Sequence, residues 1–576
     1  MSSPLKRPPL RKQTFVLWVA LLAVGGGMAF LQVFGLFRGL TSPTALSQAV
    51  IAREMTRGQG FHSKVISPLI WGQHAEPGKE RPLKGLPDTS QAPLPCFILT
   101  PVFRSLRLHS EYTGTSKVYP LDRGVACVSV VFWVAGLGLS LALVRRFFDE
   151  RMAAWTAAAM LLCQPLWDIA VGGLAPAMLL LFFSAALWLL VYGGERAEAG
   201  RGTYLAAIGI GLLGGLMVLT DPLSLCLVAG LTLCCASRSK SKVLSGLFVA
   251  GPSLLVLVGW AAWTHQISGG WLGAHRATLL SLITPAAESE ILRQFHPASF
   301  TLSPLGLLRR LLSHFSALST AFYPLMGSLP VTLLFVAAVF HPFKSPAAAK
   351  FRWVLLALLL SALTGMALSG SESAREDRSL VFLFTPLTAG FGFAFLATQW
   401  GRLYPARLSW WGRNGALTVF LALGALPLMD RLLSKTRPNF FTTAGLGKLR
   451  DLTEPNEILL SDAPWSVAWY ADRYTVWLPP DQTEMEPLKS LTTLSGAPVA
   501  GVVLTRPLPT VAYITPEQAP VSTEVSGDPP GLPPAFRMDL GPAGELPFHQ
   551  ALPLAGEPDQ NRLRVDLLFL TDRKRW

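Results

Sequence analysis

Charged side chains are scarce in this 576-residue chain, and a few stand together where they could do chemistry. Arg53 and Glu54 are adjacent. Asp88 lies in a Pro- and Gly-rich stretch, and Glu376, Asp377 and Arg378 are consecutive. A carboxylate that titrates near neutral pH can take a proton from an attacking group. A guanidinium can grip an oxyanion with two parallel hydrogen bonds. Proton transfer beside a bound anion is therefore the chemistry these residue types offer. His62, His74, His265 and His275 show no ligand spacing, so no metal is expected. No Walker loop, G-x-G-x-x-G or HExxH occurs, and no cofactor is expected. The six cysteines show neither metal-ligand spacing nor a disulfide framework, and suit small core positions.

The elements that must hold these residues are membrane spans. The chain is 51% hydrophobic and only 15% charged, with a mean hydropathy of +0.41. A soluble domain carries roughly 25% charged residues. Thr14 to Phe37 is apolar and uncharged, long enough to cross a roughly 30 Å hydrocarbon core. Comparable runs follow at 121–144, 152–168, 174–193, 203–220, 222–236, 244–263, 327–343, 353–370, 379–398 and 415–430. The expected fold class is thus an α-helical polytopic membrane protein of about eleven spans. The pair around Asp221-Pro222 could alternatively be one kinked span. The first run is too long for a cleaved signal and is expected to stay as an anchor.

A net charge of +14 would suggest nucleic acid in a soluble protein. Here the charge follows topology instead. The N-terminus and alternate short loops hold about 18 basic residues, against about two, Arg375 and Arg378, in the opposite short loops. That asymmetry predicts a cytoplasmic N-terminus, an extracytoplasmic C-terminus and no nucleic-acid partner. Residues 38–120, 264–326, 371–378 and the tail then share the outer face.

In the first of these segments, Ser42-Pro43-Thr44 starts a helix. Ala45 to Arg57 continues it with an amphipathic pattern suited to the membrane interface, and Gly58-Gln59-Gly60 ends it. Residues 73–91 read as loop, and Pro93 to Leu106 as a second interfacial helix. Beyond residue 434 the character changes. Asn456–Ser461, Tyr474–Leu478, Ala500–Leu504 and Arg562–Leu570 read as strands, with helices at Pro464–Ala471 and Thr483–Ser490. Residues 507–560 read as irregular. The chain is expected to divide into a membrane domain, 1–433, with a large outer loop at 38–120, and a small α/β domain, 434–576.

Ordered stretches of this sequence resemble the type-C glycosyltransferases that use polyprenyl-phosphate sugars. That group includes protein mannosyltransferases and the aminoarabinose transferase of lipid A. Leu46 to Met55 with Gly58-Gln59-Gly60-Phe61 resembles the family's helix after the first span. Pro87 to Pro95 resembles its approach to the second interfacial helix, and Arg145 to Phe148 with Gly172 to Pro176 resembles a span pair. Leu219 to Leu223, Glu376 to Leu380 and Ser461 to Tyr470 resemble later stations in the same order.

The resemblance implies a protein of the cell (inner) membrane. It implies transfer of a sugar from a polyprenyl-phosphate carrier to an envelope glycan, lipid or protein acceptor, with membrane lipid as a further partner. Asp88 and Glu54 are then the candidate catalytic carboxylates, with Glu376 and Asp377 as further candidates. Arg53 and Arg378 are the candidate cations for the donor phosphate. Each has a plainer reading: a solvated helix face for Glu54, an Asx-turn for Asp88, a solvated cap for Glu376 to Arg378. Asp221 suits an N-cap, and Asp168 is an acid at a membrane edge. The family places an Asp or Glu just after the first span. This sequence has Thr44-Ala45 there, or Ser47 in another register, and neither a hydroxyl nor a methyl serves as general base. The family's Arg and Glu in two other motifs are Asp221 and Ala177 here. A non-catalytic relative that binds lipid-linked glycan, or a subunit of an envelope assembly complex, is the alternative. No inverted repeat supports a transporter.

Overall fold

The computed structural model describes residues 12–73, 86–106, 118–198, 203–239, 241–275, 277, 280, 291–295, 304–369, 379–403, 410–434, 443–478, 487–488, 492, 495–505, 550–559 and 562–571. The chain is a multi-pass helical membrane protein. Its first span is α1 (Lys12–Phe30), prolonged by one π-helical turn over Leu31–Leu36. The long apolar helices α5 (Pro120–Phe147), α8 (Leu174–Glu198), α11 (Lys242–Ser268), α14 (Pro346–Ser369), α15 (Thr385–Leu403) and α16 (Trp410–Leu433) follow.

Among the described residues, by length and composition, seven helices can cross a bilayer, or up to nine if two bent pairs each make one span. The first pair is α6 (Glu150–Leu162) and α7 (Gln164–Gly172), bent by 67° where Pro165 follows Cys163-Gln164. The second is α12 (Pro304–Leu325) and α13 (Pro330–Phe340), bent by 115° at a turn where Gly327 and Ser328 take positive φ. The remaining expected spans fall on the shorter apolar helices α9 (Thr203–Thr220) and α10 (Leu225–Arg238). At the break between these two, Asp221 is the expected N-cap, its Oδ1 accepting from the Leu223 N–H at 2.9 Å.

The segment 264–326 holds α12, which keeps Leu305, Leu308, Leu312 and Phe315 exposed. Their spacing of three or four residues makes one apolar stripe, the pattern of a helix resting on lipid.

Helices approach closely where a side chain is missing. A Cβ on Gly392 of α15 would overlap the carbonyl oxygen of Val331 in α13, and one on Gly211 of α9 would overlap that of Val249 in α11. Polar groups in the bundle find each other. The amides of Gln32 and Gln164 pair at 2.7 Å, and Gln164 Nε2 also donates to Asp168 at 2.9 Å. Asp168 in turn faces Arg431 at 3.3 Å.

Between α1 and α5 lie α2 (Pro43–Thr56), strand β1 (Val65–Ile66), α3 (Pro68–Gln73) and α4 (Pro93–Ser105). After α16 come α17 (Thr443–Leu452), β2 (Ile458–Ser461), α18 (Pro464–Tyr470), β3 (Tyr474–Trp477), β4 (Val499–Thr505), β5 (Gln550–Asp559) and β6 (Arg562–Thr571). The six strands form one sheet in the order β1-β3-β2-β4-β6-β5. The first four are mutually parallel, and β6 runs antiparallel to both its neighbours, β4 and β5. The sheet therefore takes its edge strand β1 from the segment between the first two spans. Strand β5 lies inside 507–560, expected to be irregular. Pro553 and Pro558 hid it, and an edge strand tolerates them because its outer N–H groups need no partner. The helix expected at Thr483–Ser490 lies almost wholly outside the described residues.

Candidate functional site

Ser42 starts α2 as its sequence suggests, with Oγ accepting from the Ala45 N–H at 3.3 Å and Pro43 supplying a pre-set φ. Gly58 and Gly60 take φ of 80° and 82° and turn the chain away. Sequence pattern alone gives an amphipathic helix on the interface. The structure instead buries Ala45 through Glu54 on every side. The reason is tertiary: α4 packs along one face, and the tail helix α18 covers another. Ile51 also meets Phe61 and Cys96 of α4, backed by Trp260 and Trp263 of α11. Phe61 lies edge-on to Trp263 at 5.2 Å, and Trp260 stacks on Trp263 at 4.5 Å.

Arg53 is the hub. Its Nη1 donates to the Trp469 carbonyl at 2.7 Å and its Nη2 to that of Ala468 at 2.8 Å. These are among the last carbonyls of α18, which have no acceptor role inside the helix, and the negative end of the helix dipole favours a cation there. The guanidinium also lies 4.8 Å above the Trp469 ring and 3.0 Å from Asp472 Oδ1.

Asp472 takes the left-handed backbone with φ of 55°, a conformation that Asp tolerates. Its carboxylate meets Lys64 at 2.7 Å and Arg57 at 2.9 Å as well. Burial would raise its pKa, but Arg53, Arg57 and Lys64 outweigh burial and hold the carboxyl far below the usual range. For Lys64 the balance is reversed: burial lowers its pKa more than Asp472 raises it. Glu54 is buried and accepts from Arg57 at 2.8 Å, with Arg53 Nε 3.7 Å away.

Sequence reasoning missed Asp122, in the first turn of α5. It is fully buried. Oδ1 accepts from Trp469 Nε1 at 2.7 Å and Oδ2 from the Tyr470 hydroxyl at 2.9 Å. The available signal was an acid just inside an apolar run, behind Pro120. Its partners lay in the stretch Ser461 to Tyr470, which attracted notice only as a motif. Tyr119 stacks edge-on against Trp469 at 5.3 Å and closes the cluster.

Asp88 is buried in an Asx-turn, accepting from the Ser90 N–H at 2.9 Å and the Ser90 hydroxyl at 2.6 Å. Burial pushes its pKa up, against the hydrogen bonds from Ser90 and Ser63. Thus Arg53 meets both Glu54 and the tail, whereas Asp88 lies in the turn before α4. Glu376, Asp377 and Arg378 lie outside the described residues. Where the resembled family carries its acid, Ala45 is buried and packs on Gly173, so closely that a Cβ on Gly173 would come within 2.7 Å of it. Among the described residues no group of three or more His, Cys, Asp or Glu could hold a metal.

No protein-family model matches the chain, and no curated protein matches it. Solved structures are similar to it at low identity. ArnT from Cupriavidus metallidurans bound to undecaprenyl phosphate is 14% identical, covering 88% of this chain and 96% of that one, with a TM-score of 0.43. The same protein in the apo state gives 12% identity, the same coverage and 0.46. The archaeal oligosaccharyltransferase AglB from Archaeoglobus fulgidus, in complex with an inhibitory peptide and a dolichol-phosphate, is 12% identical. It covers 86% of this chain and 70% of that one, with a TM-score of 0.48.

Proposed function

We propose that this chain is a membrane glycosyltransferase of the polyprenyl-phosphate-sugar-dependent type. It works at the extracytoplasmic face of the cell membrane, with the segment 434–576 as its outer domain. The observation that carries this reading is the enclosure of α2 by α4 and the tail helix α18, which gathers buried carboxylates and a guanidinium beside an apolar surface. In the proposed reaction a carboxylate, Asp88 or Glu54, takes the proton of an acceptor hydroxyl or amine. The freed lone pair bonds to the anomeric carbon, and the carbon–oxygen bond to polyprenyl phosphate breaks with inversion. Arg378 and Arg53 are assigned to the phosphate. Arg53 can take that role only when its Nη groups leave the carbonyls of α18. The raised pKa of Asp88 suits a general base better than an ordinary carboxylate does. Glu376 and Asp377 are the remaining candidates.

The second reading is a non-catalytic relative that keeps the lipid-glycan site. The alanine at the position where the resembled family carries its acid favours it, because a methyl cannot take a proton. The deciding experiment is sugar transfer by purified protein in lipid, using radiolabelled polyprenyl-phosphate sugars with Asp88→Asn and Glu54→Gln beside the wild type. Release of polyprenyl phosphate that one substitution abolishes establishes the enzyme. Saturable donor binding without turnover establishes the relative.

A further inference from the structure

Helices α13, α14 and α15 gather cations around one histidine at an end of the bundle. His341 caps the C-terminus of α13 and is buried, its Nδ1 3.5 Å from Gln399 Nε2 of α15. Arg352, in the second turn of α14, donates from Nη1 to the His341 carbonyl, and its Nη2 has no hydrogen-bond partner among the described residues. Its guanidinium lies 5.9 Å from the centre of the Phe343 ring and 5.6 Å from that of Trp353. Arg402 of α15 reaches Gln399 Oε1 at 3.5 Å and is exposed, as is Lys344 in the turn between α13 and α14. Burial, with the charges of Arg402 and Arg352, lowers the His341 pKa, so both cations act on this one ring.

No acid offsets these charges. The stretches 341–353 and 399–403 hold Lys344, Lys350, Arg352 and Arg402 but no Asp or Glu. The turn between α5 and α6 packs here, with Phe148 5.6 Å from Phe343. Its two acids are engaged elsewhere: Asp149 accepts from the Met152 N–H at 2.7 Å, and Glu150 pairs with Arg145. Among the described residues no carboxylate pairs with Arg352 or Arg402. Apolar surface adjoins the cations. Phe340 is 76% and Trp353 50% exposed, and their rings meet edge-on at 6.4 Å. Leu333 and Val336 continue the exposed face of Phe340 along α13, and Leu360 continues that of Trp353 along α14.

We infer that Arg352 and Arg402 bind the head group of an anionic phospholipid, whose acyl chains lie along the exposed faces of α13 and α14. Basic pockets between membrane helices recruit such head groups. A lipid is the occupant, rather than a soluble phosphate ester, because the apolar surface runs on from the cations along both helices. The site is separate from the one proposed for sugar transfer and does not depend on it.

Native mass spectrometry of the purified full chain tests the inference. The probes are dioleoylphosphatidylglycerol, dioleoylphosphatidylcholine and glycerol 1-phosphate, against wild type, Arg402→Ala, Arg352→Gln and, as a basic residue at another helix end, Arg238→Ala. Wild type should retain phosphatidylglycerol over phosphatidylcholine and should not hold glycerol 1-phosphate. Arg402→Ala and Arg352→Gln should each weaken retention of phosphatidylglycerol about fivefold, and Arg238→Ala should leave it unchanged. Arg402 is exposed, so its variant keeps the comparison sound if Arg352→Gln unfolds. Equal retention of phosphatidylglycerol by wild type and Arg402→Ala, or the same loss in Arg238→Ala, overturns the site. Glycerol 1-phosphate held as firmly as phosphatidylglycerol overturns the lipid as its occupant.

Discussion

Arg53, in the helix after the first span, donates to the carbonyl of Trp469, 416 residues later in the tail, at 2.7 Å. This contact joins the segment between the first two spans to the tail, and its strength is testable. Truncating one partner of a buried charge network costs about 3–5 kcal/mol. Arg53→Ala is expected to lower the melting temperature in detergent and to expose the tail to limited proteolysis. Arg53→Lys keeps the charge but loses the fork, and should fall between the two.

Asp122 accepts from both Trp469 and Tyr470, so its removal takes the carboxylate acceptor from two buried donors. Asp122→Ala should destabilise by about 2–5 kcal/mol, and Tyr470→Phe by about 1–2 kcal/mol. In a double-mutant cycle, the two losses should sum to more than the loss in the double variant. Strict additivity in thermal unfolding would sink the proposed link.

Buried Asp88 and half-buried Asp472 should respond oppositely to pH. Asp472 has a depressed pKa, so its stabilising effect is present above the ordinary carboxylate pKa and is lost as pH falls through the folded value. Asp88 has a raised pKa, so its contribution is full below the ordinary value and is lost as pH rises through the folded one. Melting curves across pH should show Asp472→Asn losing the acid-side dependence. Asp88→Asn should flatten the decline on the rising side.

Gly392→Ala adds one methyl where the Val331 carbonyl already stands. Overpacking of this kind typically costs about 1–3 kcal/mol. Equilibrium unfolding should show a loss of that size, while Gly259→Ala, in open space on α11, should show none.

Much of this arrangement is legible in sequence because apolar runs and helix-start prolines act locally. Ser42-Pro43, Pro93 and Asp221-Pro222 each mark a helix start that the structure keeps. What sequence conceals is set by distant contact. The even burial of α2 depends on α18, some 400 residues away, and no periodicity in Ala45–Glu54 announces it. Asp122 reads as an isolated acid until Trp469 and Tyr470 reach it. Strand β5 carries two prolines that local propensity counts against it, and only its pairing with β6 rescues it. Arg53 was legible as an anion-binding side chain, but its partners in the fold, two helix-terminal carbonyls and Asp472, were not.

Whether the enclosure around α2 receives a polyprenyl-phosphate donor is tested most directly by photo-crosslinking. Purified protein in lipid is irradiated with a diazirine-bearing polyprenyl phosphate, and the labelled peptides are mapped. Labels are expected in α2, α4 or α18 that an unlabelled polyprenyl phosphate competes away, and that Arg53→Ala alters. Labels confined to other helices, or labels that competitor leaves unchanged, would contradict it.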